Sequence, residues 1–106
     1  MTTEITPQEL KKRLDARDAV TLLDVRDDWE TKLARLEHAA HIPVVEIEHR
    51  LDELDPGDEI IVYCHHGIRS ASVAGFLRQR EFASVANLCG GIDAWSLDVD
   101  PSVPRY

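Results

Sequence analysis

Cys64 stands where an apolar run ends. Ile60-Ile61-Val62-Tyr63 lead straight into it, and a helical pattern opens at Ser70. A thiol is a weak nucleophile until it loses its proton. A free cysteine has a pKa of about 8.5, and a helix N-terminus brings it well below neutrality. A helix starting near Ser70 points its unpaired N–H groups back over the loop. Gly67 lets the backbone curl without a Cβ clash. Successive N–H groups on a curled loop make an anion-binding concavity, and Arg69 adds a fixed positive charge. Residues 64–70 therefore have the makings of a ring of donors around an anionic sulfur. The plainer reading, a small buried apolar cysteine, leaves Gly67, Arg69 and the strand-end placement unexplained.

The neighbours of Cys64 carry weaker signals. His65 and His66 either tune the thiolate, since histidine titrates near neutral pH, or act only through their backbone N–H groups with their rings in solvent. The second is the expectation. A zinc site from Cys64, His65 and His66 is not expected, because adjacent residues converge poorly on one tetrahedral ion. His38, His41 and His49 have no ligand spacing. Cys89 also follows a strand; it is read as a small packed residue before Gly90-Gly91, with a resolving thiol as the alternative. Asp24 and Arg26 follow a strand near the same place and are expected to form a structural ion pair. Trp29 and Trp95 are expected in the core.

The elements that must hold this loop read as strands alternating with helices. The first 16 residues read as a helix, with Thr6 as cap, Pro7 at its first position and Glu9 closing a capping box. Ile5 and Leu10 have the spacing of a hydrophobic staple, and Leu10 and Leu14 share a face. Strands are expected at 20–25, 39–43, 60–63 and 84–88, where short apolar runs lie between turn signals. Helices are expected at 28–36, 44–54 and 70–80, with a short one after Gly90-Gly91. The C-terminal tail, 98–106, holds two prolines and is expected to be extended. Such alternation predicts one α/β domain over 1–106 with a mainly parallel central sheet. The unbroken apolar strands predict helices on both faces of it, and sites in such sheets form beyond the carboxyl ends of the strands, where Cys64 sits.

Composition narrows the function. Twenty acidic residues against twelve basic ones give a formal charge of −8 in a chain of 106 residues. Such a surface repels nucleic acid and anionic membranes, so neither is expected as a partner. No apolar stretch reaches the roughly 20 residues that span a bilayer. The opening "MTTEITPQEL" lacks the basic and apolar regions of a secretory signal. Two cysteines do not make a disulfide framework. A cytoplasmic location is the expectation.

Three motifs together resemble the single-domain rhodanese family of sulfurtransferases, and nearly the whole chain takes part. "LLDVRDDWE" (22–30) resembles the family's strand-and-helix signature, "CHHGIRS" (64–70) its active-site loop, and "LCGGIDAW" (88–95) its closing glycine pair and tryptophan. The ending "GGIDAWSLDVDPSVPRY" is similar to rhodanese domains fused behind ubiquitin-like activating enzymes. The resemblance implies a rhodanese-like three-layer fold with helices on both faces of the sheet. It implies that Cys64 takes sulfane sulfur from thiosulfate or a persulfide donor, carries it as a persulfide, and passes it to cyanide, a thiol or a sulfur-carrier protein. Cys64 would be catalytic. His65, His66, Gly67, Ile68, Arg69 and Ser70 would bind the substrate, with no metal and no cofactor. A non-catalytic binding or sulfur-relay module is the alternative. Four residues separate Cys64 from Arg69, the sulfurtransferase size; related phosphatases have a wider loop. One stretch departs from the pattern: in "ARLEHAAHIP" (34–43), Ala34 and Arg35 stand where glycine and histidine are usual, and His38 stands at a second glycine.

Overall fold

The computed structural model describes residues 3–106. In chain order it contains β1 (Glu4–Ile5), α1 (Pro7–Asp15), β2 (Thr21–Asp24), α2 (Asp28–Leu33) and β3 (Ala40–His41). Two 3₁₀ turns follow, Val44–His49 and Leu51–Glu53, and then β4 (Glu59–Tyr63), α3 (Ile68–Gln79), β5 (Ser84–Leu88) and α4 (Gly91–Asp98). The strands form one sheet in the order β1-β5-β4-β2-β3. Every pairing among the described residues is parallel. Among the same residues, no helix is long and apolar enough to cross a membrane.

Both sheet faces are covered because side chains alternate along each strand. Leu23, Val25, Ile60 and Val62 face a layer made by α3 and the 3₁₀ turns, where Ile47, Leu54, Val73 and Leu77 are buried. Leu22, Ile61, Tyr63 and Leu88 face the opposite layer, with Leu10 of α1 and Ile92 and Trp95 of α4. The α/β class and the sheet covered on both faces are as the sequence predicts. The closing segment leaves α4 through a turn, with Val103 N–H on the Asp100 carbonyl at 3.1 Å.

Several expectations are corrected. The first residues are not all helical: Glu4 and Ile5 pair with Asn87 and Leu88 before Thr6 opens α1. A two-residue strand has no periodicity to detect. The capping box itself is present, with Glu9 N–H on Thr6 Oγ1 at 3.1 Å and Thr6 N–H on Glu9 Oε1 at 2.9 Å. Residues 44–54 form two 3₁₀ turns instead of one helix. Three residues per turn there bury Ile47 and Leu54 while Val45 is 84% exposed. Trp29 is 59% exposed and not in the core, whereas Trp95 is buried. The reason lies in α2, a helix of only six residues whose one buried residue is Glu30. That helix aims a carboxylate inward and leaves its apolar residues outside.

The strand register sets where the loops start. Asp24 pairs with Tyr63, so β2 and β4 end side by side. Just past this edge Arg26 is fully buried. Its Nε and Nη2 reach the two Asp24 oxygens at 2.9 and 2.7 Å. Nη2 also donates to the Ala34 carbonyl at 2.6 Å. Tyr63 donates its hydroxyl proton to Asp24 at 2.9 Å and accepts the Leu36 N–H at 3.2 Å. Breaking a buried pair by removing one partner costs about 3–5 kcal/mol, because a charge is left uncompensated. Arg26→Met should therefore lower the unfolding free energy by about that amount in urea titrations. The double replacement Asp24→Leu with Arg26→Met should recover much of the loss.

Candidate active site

The site is built where β4 gives way to α3. Gly67 takes φ = 100°, a left-handed conformation that suits glycine, and stands as the N-cap of α3. The turn bends the backbone back over Cys64, whose sulfur is buried. Gly67 N–H lies 3.2 Å from Cys64 Sγ and Ser70 N–H lies 3.4 Å away. Ser70 Oγ lies 3.3 Å from the sulfur. Burial pushes the thiol up. Hydrogen bonds from Ser70, through its hydroxyl and its N–H, and from the N–H groups of Gly67 and His66 outweigh it, so the thiol sits below its ordinary range.

Ser70 has one hydroxyl hydrogen and two claimants. Its Oγ is also 2.5 Å from Asn87 Oδ1. With Cys64 protonated, the S–H can donate to Ser70 Oγ while the hydroxyl donates to Asn87. With Cys64 ionised, the hydroxyl can turn to the sulfur. Asn87 is held for this role by its amide, which donates to the Gly67 carbonyl at 3.1 Å and Glu4 at 3.3 Å.

The outer face of the loop is fixed by α4. Ile92 N–H binds the Cys64 carbonyl at 2.9 Å and Asp93 N–H binds the His65 carbonyl at 3.1 Å. This close approach requires Gly91: a Cβ there would fall 2.4 Å from the His65 carbonyl oxygen. With the carbonyls tied outward, the N–H groups of the loop face the sulfur.

Arg69 does not lie alone. Its Nη1 and Nη2 bind the two Glu30 oxygens at 2.7 and 2.9 Å. Arg69, together with hydrogen bonds from the Tyr106 hydroxyl and the Asp27 N–H, holds the Glu30 carboxyl at about 2 against the effect of burial. The donors that face the Cys64 sulfur are thus the Ser70 hydroxyl and backbone N–H groups, while the loop's one cation is shared with a carboxylate. Ile68 is 79% exposed at the rim. His66 is half-exposed and stacks on His65 with ring centroids 3.9 Å apart. His65 is partly buried. Burial lowers its pKa, and its Nε2 is buried without a hydrogen-bond partner among the described residues.

His65, His66 and Asp93 bring one possible ligand atom each within 4.8 Å of one another. Asp93 is already engaged by Arg105, at 2.8 Å and 3.3 Å to its two oxygens. That competition, together with the face-to-face stacking of the two imidazoles, suits packing better than metal ligation. Cys89 is partly exposed and donates its S–H to Glu4 at 3.3 Å; burial, then Glu4, pushes its thiol up. It is therefore protonated at neutral pH and a poor nucleophile.

Residues that sequence reasoning did not single out are Glu30, Asn87, Asp93 and Tyr106. Asn87 carried a signal, being a polar residue inside an otherwise apolar strand. Glu30 carried another, since it closes a capping box with Asp27. Tyr106 carried none. Part of the atypical 34–43 stretch faces away from the cysteine loop, although Ile42 packs in the same buried cluster as Cys64. Arg35, Leu36, Glu37 and His38 line a groove of about 590 Å³ with Trp95, Asp100, Ser102, Val103 and Pro104, and none of 64–70 takes part in it.

Comparison with known proteins agrees with this geometry. The family model "Rhodanese-like domain" matches residues 6–98. A protein of Allochromatium vinosum named "Sulfurtransferase" is 32% identical over 96 residues, covering 91% of this chain and 90% of that protein. A Zea mays "Adenylyltransferase and sulfurtransferase MOCS3-2" is 33% identical, covering 96% of this chain and 23% of that protein. The crystal structure of a rhodanese-like domain protein from Staphylococcus aureus superposes with a TM-score of 0.85 at 30% identity, over 100% of this chain and 99% of the other. Against two longer relatives, the chain spans half and about a quarter of their length.

Two outcomes test the site. Ser70→Ala should move the pH midpoint of Cys64 alkylation upward, because the sulfur loses a donor while its burial stays. Glu30 has a depressed folded-state pKa. Its contribution to stability is full above the unfolded value of about 4.3 and is lost as pH falls through about 2. Urea midpoints at pH 7, 4 and 2.5 should show this component in the parent protein and not in Glu30→Gln.

Proposed function

The chain belongs to the rhodanese-like domain family, and from that premise we propose that it is a rhodanese-type sulfurtransferase carrying sulfane sulfur on Cys64. The observation that carries this reading is the buried Cys64 sulfur facing the N–H groups of Gly67 and Ser70 and the Ser70 hydroxyl. Relatives named as sulfurtransferases support it.

In the first half-reaction the Cys64 thiolate attacks the outer sulfur of a donor. An S–S bond to Cys64 forms as the donor's own bond to that sulfur breaks. With thiosulfate, the electron pair leaves on sulfite and Cys64 becomes a persulfide anion. In the second, an acceptor such as cyanide or a thiolate attacks the outer sulfur, the Cys64–S bond breaks, and the thiolate returns. The negative charge moves outward by one sulfur and back. Fixed N–H dipoles meet it at both positions without reorganising, and the step is covalent catalysis in two stages. His65, His66, Gly67 and Ser70 serve through the loop backbone and the Ser70 hydroxyl. Ile68 lines the entrance, and Arg69 meets the donor's anionic end only by sharing or leaving Glu30.

The Glu30–Arg69 pair and the net charge of −8 make thiosulfate a weaker donor than a persulfide. A protein persulfide or sulfur carrier suits the open apolar rim formed by Ile68, and a relay to such a carrier is the second reading.

Intact-mass measurement after incubation with thiosulfate, and separately with a small persulfide, tests both. The expected result is a gain of one sulfur atom, lost in Cys64→Ser and kept in Cys89→Ser. The persulfide should load faster at low salt, with thiosulfate catching up as salt screens the surface. No sulfur gain from either small donor would remove the small-donor reading in favour of a protein donor or a binding module.

A further inference from the structure

A residue from the far end of the chain closes a stack of rings beside the cysteine loop. Tyr106 lies face to face with His65, their ring centroids 3.9 Å apart and their planes 9° from parallel. His66 covers the other face of His65. Trp29 meets Tyr106 edge-on at 6.0 Å. The Tyr106 hydroxyl donates to Glu30 at 2.6 Å and accepts from Arg26 Nη1 at 3.0 Å. Arg105, its neighbour, grips Asp93, whose N–H holds the His65 carbonyl.

The Tyr106 backbone lies within hydrogen-bonding reach of the His65 ring. The ring's Nε2 is buried with no hydrogen-bond partner among the described residues. An unpaired buried nitrogen favours water over the interior, so the ring keeps its place only while its neighbours hold it. The Tyr106 ring, anchored at its hydroxyl by two other elements, stands in the way. The backbone carried by His65 leads directly into the His66 and Gly67 N–H groups that face the sulfur. A ring released at His65 loosens the peptides beside it.

We propose that Tyr106 is a positioning residue for sulfur transfer, its ring clamping the His65 imidazole so that the amides of residues 66 and 67 stay aimed at Cys64 Sγ. The proposal rests on the reading of Cys64 as the sulfur carrier, but its first test needs no sulfur donor.

The experiment uses the full chain in a Cys89→Ser background. The rate of alkylation by iodoacetamide against pH gives the Cys64 midpoint directly. Tyr106→Ala should raise that midpoint by about one pH unit, a tenfold loss of thiolate stabilisation. With the same donor, its kcat should fall about tenfold with KM changed less than about twofold, the pattern of a group that acts on the reacting sulfur and not on donor binding. Tyr106→Phe keeps the ring and should restore most of both. His65→Ala should show the same midpoint shift, and Tyr106→Ala should add nothing to it, since the two act as one unit. A Tyr106→Ala protein that melts earlier but keeps the parent midpoint and kcat would overturn the proposal, leaving only a structural tie. Tyr106→Phe as impaired as Tyr106→Ala would overturn the role of the ring. Additive effects of His65→Ala and Tyr106→Ala would overturn the route through His65. A shifted midpoint in a protein that accepts no sulfur would support the clamp and overturn the sulfur chemistry, so the two readings fail separately.

Discussion

The Asp24–Arg26 pair is the constraint on which the rest of the structure depends. A guanidinium fully removed from water is tolerable only if nearly all its donors are met. Meeting them gathers the end of β2, the carbonyls of Glu30 and Ala34, and the Tyr106 hydroxyl around one point. Asp24 in turn receives the Tyr63 hydroxyl from the strand that leads to Cys64. One buried ion pair thereby fixes how α2 ends, where the Tyr106 hydroxyl is held and how β4 delivers the cysteine. Glu30 inherits its position from this arrangement, and Arg69 inherits its own from Glu30.

The site that results holds its anion in an uncommon balance. A free arginine beside the sulfur would attract any small anion and bind it in every state. Here the guanidinium is already matched by a carboxylate, and the sulfur is met by the Ser70 hydroxyl and by N–H dipoles that point at one small volume. Dipoles fall off faster with distance than charges do. They favour a negative sulfur at the loop centre much more than an anion passing by. Such a site discriminates by position, which suits a reaction in which charge shifts by a single bond length.

Much of this was legible in the sequence, for reasons that can be named. The Cys64 loop was legible because its chemistry is local: strand end, glycine, arginine and helix start are all contained in seven successive residues. The covered parallel sheet was legible from unbroken apolar runs. What escaped reading depends on distant partners. Trp29 has helical spacing with Leu33 and Leu36, yet the helix is short and rotates Glu30 inward, so spacing alone misassigned the face. Val44 to Leu54 keep a helical pattern that 3₁₀ turns satisfy equally well. Asn87 faces Ser70 only because β5 lies beside β4, and Tyr106 reaches His65 only after the chain has folded completely.

Gly91 has a consequence beyond its own turn. By admitting the start of α4 against the Cys64 and His65 carbonyls, it locks the peptide planes of the loop before any substrate arrives. The peptide planes nearest the sulfur are then held from the α4 side, as Tyr106 holds the His65 ring from the other. Ile68, at the exposed rim, lies outside that lock. A fold arranged like this separates the loop around the Cys64 sulfur from the exposed Ile68 rim, so that a change of side chain at the rim need not move the peptides that face the sulfur.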